Sequence, residues 1–166
     1  MTTTKLSYSA ATQLTITLNP SSTGIANNSA RLSTAVDNST NLYLDALVGV
    51  SIKTASGSLA SNPYVNVYAY AFVDGTNYTD QDRMNSAGTD SAFTLGGSPY
   101  NVRLIGVLNV KTAATTTYGG AYSVAAAFGG VLPTKWGVVI ENQSGLALDN
   151  SAPGSVYFYG ITATNA

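Results

Sequence analysis

The chain has no cysteine and no histidine, and its one glutamate is Glu141. Without a thiolate or an imidazole, Ser-His-Asp and Cys-His catalysis and Cys/His zinc sites are excluded. Charge is scarce as well. Of 166 residues, 7 are Lys or Arg and 8 are Asp or Glu, which is 9%, where an ordinary domain carries about a quarter. The cations are scattered from Lys5 to Lys135 with no basic stripe, so a nucleic-acid partner is not expected. No apolar run approaches the roughly 18 residues of a membrane span. The segment MTTTKLSYSA lacks the apolar centre and cleavage pattern of a Sec-type signal, so the expectation is a chain made in a cytoplasm. Phosphate loops, Rossmann glycine patterns and nucleophile elbows are missing, and no cofactor is expected.

What the chain does have is 39 Ser and Thr, 11 Tyr and 45% hydrophobic residues, too apolar for a disordered polar tract. Its length suits one domain with a sizeable core. A folded monomer of this size exposes roughly 7,700 Å², and the fifteen charged side chains cover about a fifth of it. Hydroxyls, amides and apolar groups make up the rest, as on a subunit whose surface is largely covered by neighbours.

Period-two alternation dominates, the signature of half-buried antiparallel strands. Strands are expected at 13–18, 41–54, 64–73, 91–95, 101–110, near 122–128, at 136–142 and at 155–163. About eight strands imply an all-β, two-sheet antiparallel sandwich, jelly-roll-like, with an immunoglobulin-like sandwich as the alternative. In 41–54, Leu42, Leu44, Ala46, Val48, Val50 and Ile52 share the expected core face. Val102, Leu104, Leu108 and Val110 do the same in 101–110, as do Trp136, Val138 and Ile140 in 136–142. The strand at 64–73 has no polar side, with Tyr64, Asn66, Tyr68, Tyr70 and Phe72 on one face and Val65, Val67, Ala69, Ala71 and Val73 on the other. Either its tyrosine face meets a partner, or that face lines the sandwich and the small face packs under a loop. Helical signal is confined to one or two turns within 25–36 and to Val124–Phe128, which fits strand or helix. Residues 1–12 form an extended N-terminal arm, 13–166 a single β-sandwich domain, and 74–90 a long polar loop. The pairs Gly96-Gly97, Gly119-Gly120 and Gly129-Gly130 are expected at turns.

Three groups of residues could carry chemistry. Asp74, Asn77, Asp80 and Asp82 concentrate oxygen ligands that would suit calcium, although the spacing is not that of an EF-hand and Asp-Gly-Thr-Asn is equally a turn. Glu141, on the strand face of Val139 and Gly137, is the sole glutamate for a glycosidase-like carboxylate pair. Trp136, with Tyr100, Tyr118 or Tyr122, could form a sugar-stacking platform, or be a core anchor with Lys135 shielding its edge. None of these is assigned as a catalytic, cofactor or metal residue. Four Asn-x-Ser/Thr triplets, at Asn27, Asn38, Asn77 and Asn142, are close to the roughly three that this composition yields by chance.

Two stretches, ARLSTAVDNSTNLYLDALVGVSIKT (30–54) and LPTKWGVVIENQSGLAL with the closing YFYGI (within 132–161), resemble small virion proteins of tailed bacteriophages and prophages, and VNVYAYAFVDGTNYTD is similar as well. The resemblance implies a β-sandwich or jelly-roll subunit on the capsid exterior, a decoration (cement) protein bound to the major capsid protein. It brings no catalytic residues. A homo-oligomer, with a trimer the leading form and the 1–12 arm reaching across a subunit boundary, would follow, assembled in the host cytoplasm. The alternatives are a carbohydrate- or receptor-binding fibre or tail module, a head–tail or tail ring component, and a glycosidase-like enzyme.

Overall fold

The computed structural model describes residues 4–74, 76–80, 88–93 and 101–165. Among these, eleven strands and a one-turn helix build two antiparallel sheets packed face to face. Sheet A has the order β1 (Thr4–Tyr8), β11 (Gly154–Asn165), β5 (Asp45–Lys53), β9 (Thr116–Ser123), with β2 (Thr12–Gln13) also along β11. Sheet B has the order β7 (Ser91–Phe93), β3 (Ser29–Leu32), β10 (Lys135–Gln143), β6 (Tyr64–Ala71), β8 (Arg103–Asn109), with β4 (Val36–Asp37) also along β10. The chain crosses between the sheets from β2 to β3, β4 to β5, β5 to β6, β8 to β9, β9 to β10 and β10 to β11. Because β5 pairs with β11 and β6 with β10, the pairs nest inside one another in a jelly-roll-like wrap.

Alternation decides what lies between the sheets. Ala46, Val48, Val50 and Ile52 of β5 and Val156 and Phe158 of β11 face Val65, Val67 and Ala69 of β6 and Trp136, Val138 and Ile140 of β10. Trp136 is 0% exposed and meets Phe158 across the gap, ring centroids 5.3 Å apart at 85°. On the far side of sheet B a second cluster forms from Ala30, Leu32, Tyr70, Phe93, Val102 and Val139. The central strand β10 is therefore buried on both faces. Gly137 makes this possible, since the Tyr70 ring lies across it and a Cβ there would sit 2.4 Å from that ring. The Tyr70 hydroxyl donates to the Ser33 carbonyl at 2.6 Å, and burial raises its pKa above the usual tyrosine range.

The strand at 64–73 thus has its Val/Ala face in the sandwich and its tyrosine face outward, the reverse of a tyrosine-lined core. Other expectations are corrected by pairing. Residues 25–36 form β3 and β4, not helical turns, because Ser29–Leu32 finds hydrogen-bonding neighbours on both sides, in β10 and β7. Of 13–18 only Gln13, the second residue of β2, lies in a ladder, although Leu14 and Leu18 still reach the core. β5 starts at Asp45, and Leu42 (71% exposed) and Leu44 lie outside the core on a loop where Leu42 has φ 53°. Asn38 clasps that loop, its amide bonded to both Tyr43 N and Tyr43 O. Val124–Ala127 is a helical turn capped by the Ser123 hydroxyl, so the strand expected near 122–128 is β9 and ends at Ser123.

In β8 an extra residue, Ile105, interrupts the pairing between Val67↔Gly106 and Tyr68↔Leu104. The slip turns Leu104 (54% exposed) and Val102 to the outer face, whereas Leu108 stays inside. Gly119-Gly120 is likewise no turn: it belongs to a bulge of β9 against β5. Gly129-Gly130, both at positive φ, do end the helical turn, and Gly96-Gly97 lie outside the described residues. The first strand, β1, hydrogen-bonds to the end of β11 and leaves all five of its residues exposed.

This register makes two nearby leucines unequal. Leu108→Ala should cost about 2–5 kcal/mol of unfolding free energy in urea titrations, and Leu104→Ala within about 0.5. Equal losses would mean that the bulge does not flip the strand.

Candidate functional site

The outer face of sheet B carries Glu141. Directly across from it on the neighbouring strands stand Ala30 and Asn66, so no second carboxylate opposes it for glycoside hydrolysis. Asn66 Nδ2 and the Tyr68 hydroxyl both donate to Oε2 at 2.8 Å, and Gln143 Nε2 donates to Oε1 at 2.8 Å. Burial, and then the proton shared with Glu141, raise the Tyr68 pKa above its usual range. Glu141 is a buried acceptor that ties β6 to β10 through neutral donors.

The suggested calcium ligands are dispersed. Asp74 closes a turn on itself, accepting from Thr76 N, Asn77 N and Asn77 Nδ2, and the Asn77 amide is the first cause of its lowered pKa. Asp80 is buried and accepts from Asn101 N at 2.7 Å, Asn101 Nδ2 at 3.1 Å and Val102 N at 3.1 Å, which fixes the entry to β8. Asp82 lies outside the described residues. Among the described residues no group of three or more acids is placed to hold a metal ion. The sugar platform is not assembled either, because Trp136 is in the core, Tyr122 packs its ring over Gly106 at the core edge, Tyr118 lies on another surface, and Tyr100 is outside the described residues. Lys135 sits over Phe72 and pairs with Asp37 at 3.6 Å, and does not shield Trp136.

The open aromatic surface is the outer face of sheet A. Tyr157, Tyr159 and Ile161 of β11 line up beside Gly49, Leu47 and Asp45 of β5, and Tyr118 of β9 stands opposite Ser51. Leu6 and Tyr8 of β1 continue the surface, since Tyr8 pairs with Ile161, while Lys5 and Ser7 alternate onto the other side. A hollow of about 420 Å³ opens in the middle of this face, walled by Tyr8, Leu47 and Tyr159 and bounded by Gly49 and Ala121. Its cause is local. The β9 bulge places Gly120 and Ala121 against Gly49, and a Cβ added at Gly49 would meet nothing within 4 Å. Alternation within 155–163 by itself puts Tyr157, Tyr159 and Ile161 on one face but does not show the hollow; glycines within two adjacent strands were the available signal.

The charges at the margins of this face are engaged. Asp45 accepts from Ala46 N and Ala125 N at one oxygen and from the Ser123 hydroxyl at the other. Lys53 pairs with Asp149 at 2.9 Å. A separate cleft of about 880 Å³ opens at one end of the sandwich between Phe72, Tyr78, Arg103 and Phe128, where the acid Asp80 is committed to Asn101 and Val102. No family model, curated protein or solved structure matches the chain.

Carboxylates used as structural acceptors make stability depend on acid. Lys53, then the Ser151 hydroxyl and the backbone amides of Ala152 and Ser151, hold Asp149 well below the usual carboxylate range. A carboxyl whose pKa is lowered by folding stabilises the fold above its unfolded pKa and loses that contribution as pH falls through the folded one. Unfolding midpoints should therefore fall steadily as the pH drops below about 4, and Asp149→Asn should flatten the fall. An identical profile for the variant would remove Asp149 from this role.

Proposed function

We propose that the chain is a non-enzymatic virion structural protein, a capsid decoration or cement subunit that binds the outer surface of the major capsid protein and stabilises the head. The observation that carries this reading is the outer face of sheet A, an aromatic and aliphatic surface on a rigid sandwich, where Lys53 is ion-paired with Asp149 and Asp45 is hydrogen-bonded within the chain. Contiguous apolar surface rimmed by polar groups marks a contact site. Two further features support it. The acids Glu141, Asp80, Asp45 and Asp74 act as structural acceptors. The stretches that resemble small phage virion proteins contain the Asn38 clasp, β5 and β10, which build a scaffold and not a reaction centre. Cement proteins draw their hold on a capsid from many modest contacts repeated over a lattice.

A second reading rests on the same tyrosines, because an open sheet face carrying Tyr118, Tyr157 and Tyr159 also suits stacking on sugars, as in a glycan-binding fibre or tail module. Mass-spectrometric quantification of the chain in purified particles separates the two. Decoration requires a copy number comparable to that of the major capsid protein; a small fixed number would assign the chain to a fibre, tail or ring.

A further inference from the structure

An asparagine followed by serine is a chemically weak point of a backbone. The serine nitrogen gives up its proton and bonds to the asparagine Cγ, ammonia leaves, and water opens the resulting succinimide to aspartate or isoaspartate. The chain has four Asn-Ser dipeptides, of which those at Asn28, Asn38 and Asn150 lie among the described residues. In all three the attacking nitrogen is engaged as a donor: Ser29 N to Ala26 O at 3.2 Å, Ser39 N to Asp37 Oδ1 at 2.8 Å, and Ser151 N to Asp149 Oδ1 at 2.8 Å. We propose that Asn150-Ser151 is a latent deamidation site, and that the Asp149 carboxylate holds it closed by capturing the Ser151 amide.

The three dipeptides differ in what else restrains them. Asn38 is buried and its side chain is clasped by Tyr43 N and Tyr43 O, so its Cγ is not free to swing toward Ser39. Ser29 opens β3 and is held in register against Asn142 of β10. Asn150 is exposed and its side chain has no partner among the described residues, which leaves its protection to the neighbouring acid. Asp149 Oδ1 accepts from Ser151 N and the Ser151 hydroxyl, both at 2.8 Å, and from Ala152 N at 3.0 Å, while Oδ2 lies 2.9 Å from Lys53 Nζ. The carboxylate acts in two ways. The N–H must leave it before the nitrogen can turn to Cγ, and its negative charge opposes removal of the amide proton. The corner is also structural, since Asn19 Nδ2 donates to Asn150 O at 3.0 Å and Lys53 N to Pro153 O at 3.0 Å. Deamidation would set a new carboxylate beside Asp149, and an isoaspartyl link would lengthen the backbone just before β11. The site goes beyond capsid attachment and does not depend on it.

Incubation of the purified full chain at mildly alkaline pH, with peptide mapping by mass spectrometry at Asn150, tests this. The isolated tryptic peptide that contains Asn150 is incubated alongside. The folded wild-type chain should convert more slowly than the peptide. Asp149→Ala should speed conversion in the folded chain by about three- to tenfold, the worth of one net hydrogen bond. Lys53→Met removes the ion pair but keeps the bonds to Oδ1, and should stay near the wild-type rate. Near-ultraviolet circular dichroism from the buried Trp136 reports whether each variant is folded. Equal rates in the folded chain and the peptide would overturn the proposal, and that comparison stands even where Asp149→Ala does not fold. A folded Asp149→Ala that converts at the wild-type rate would overturn it too. So would Lys53→Met matching the acceleration of Asp149→Ala, because looseness of the corner, and not the carboxylate, would then set the rate. Copy number on particles is unaffected by any of these results, so failure here and failure of the decoration reading are told apart.

Discussion

The contact between Trp136 and Phe158 is where the two sheets are held to each other. Trp136 comes from β10, the middle of sheet B, and Phe158 from β11, the middle of sheet A, and both strands carry neighbours on either side. Large rings in edge-to-face contact bury area that no aliphatic pair matches, and they fix the spacing between the layers. Around them the small residues Ala46, Ala69 and Val138 fill what space remains. β10 bears the heaviest constraint, because its opposite face is covered as well, by Leu32 and by Tyr70 lying over Gly137.

A chain with so few charges uses them inside its own architecture. Asp45 joins β5 to the start of the helical turn, Asp80 anchors the entry to β8, and Arg31 and Asp90 pair at 2.5 Å with Thr17 N donating to the same carboxylate at 2.9 Å. Buried amides do similar work: Asn142 donates to Ile25 O and Leu146 O and accepts from Ser144, so the ENQSG segment is a satisfied corner of the fold. Asn38 and Asn142, both in Asn-x-Ser/Thr triplets, are buried by these bonds. Spending polar side chains this way leaves the outer face of sheet A to apolar groups.

The inward faces of β5, β6, β10 and β11 were legible because each follows strict alternation over a long, continuously paired strand. Where a bulge intervenes, alternation misleads. Leu104 shares the pattern of Leu108 but faces outward, since Ile105 adds one residue to the ladder. Leu42 and Leu44 continue the pattern of β5 beyond its first residue, and no ladder receives them in the sandwich. The tyrosine-rich strand at 64–73 drew attention as an interface, yet Tyr70 is covered by Phe93 and Val102 of the same chain, residues far away in sequence.

By itself the sequence determined the class of fold and the lining of the sandwich, since period-two burial is a local property of an extended chain. Its lack of thiol and imidazole chemistry is likewise a matter of composition. Only the tertiary structure decided which of two aromatic faces stays open, that of β6 or that of β11. That choice depends on which remote segments fold back over each sheet, and on a bulge that hollows one face at Gly49, and neither is written in the periodicity of any single strand.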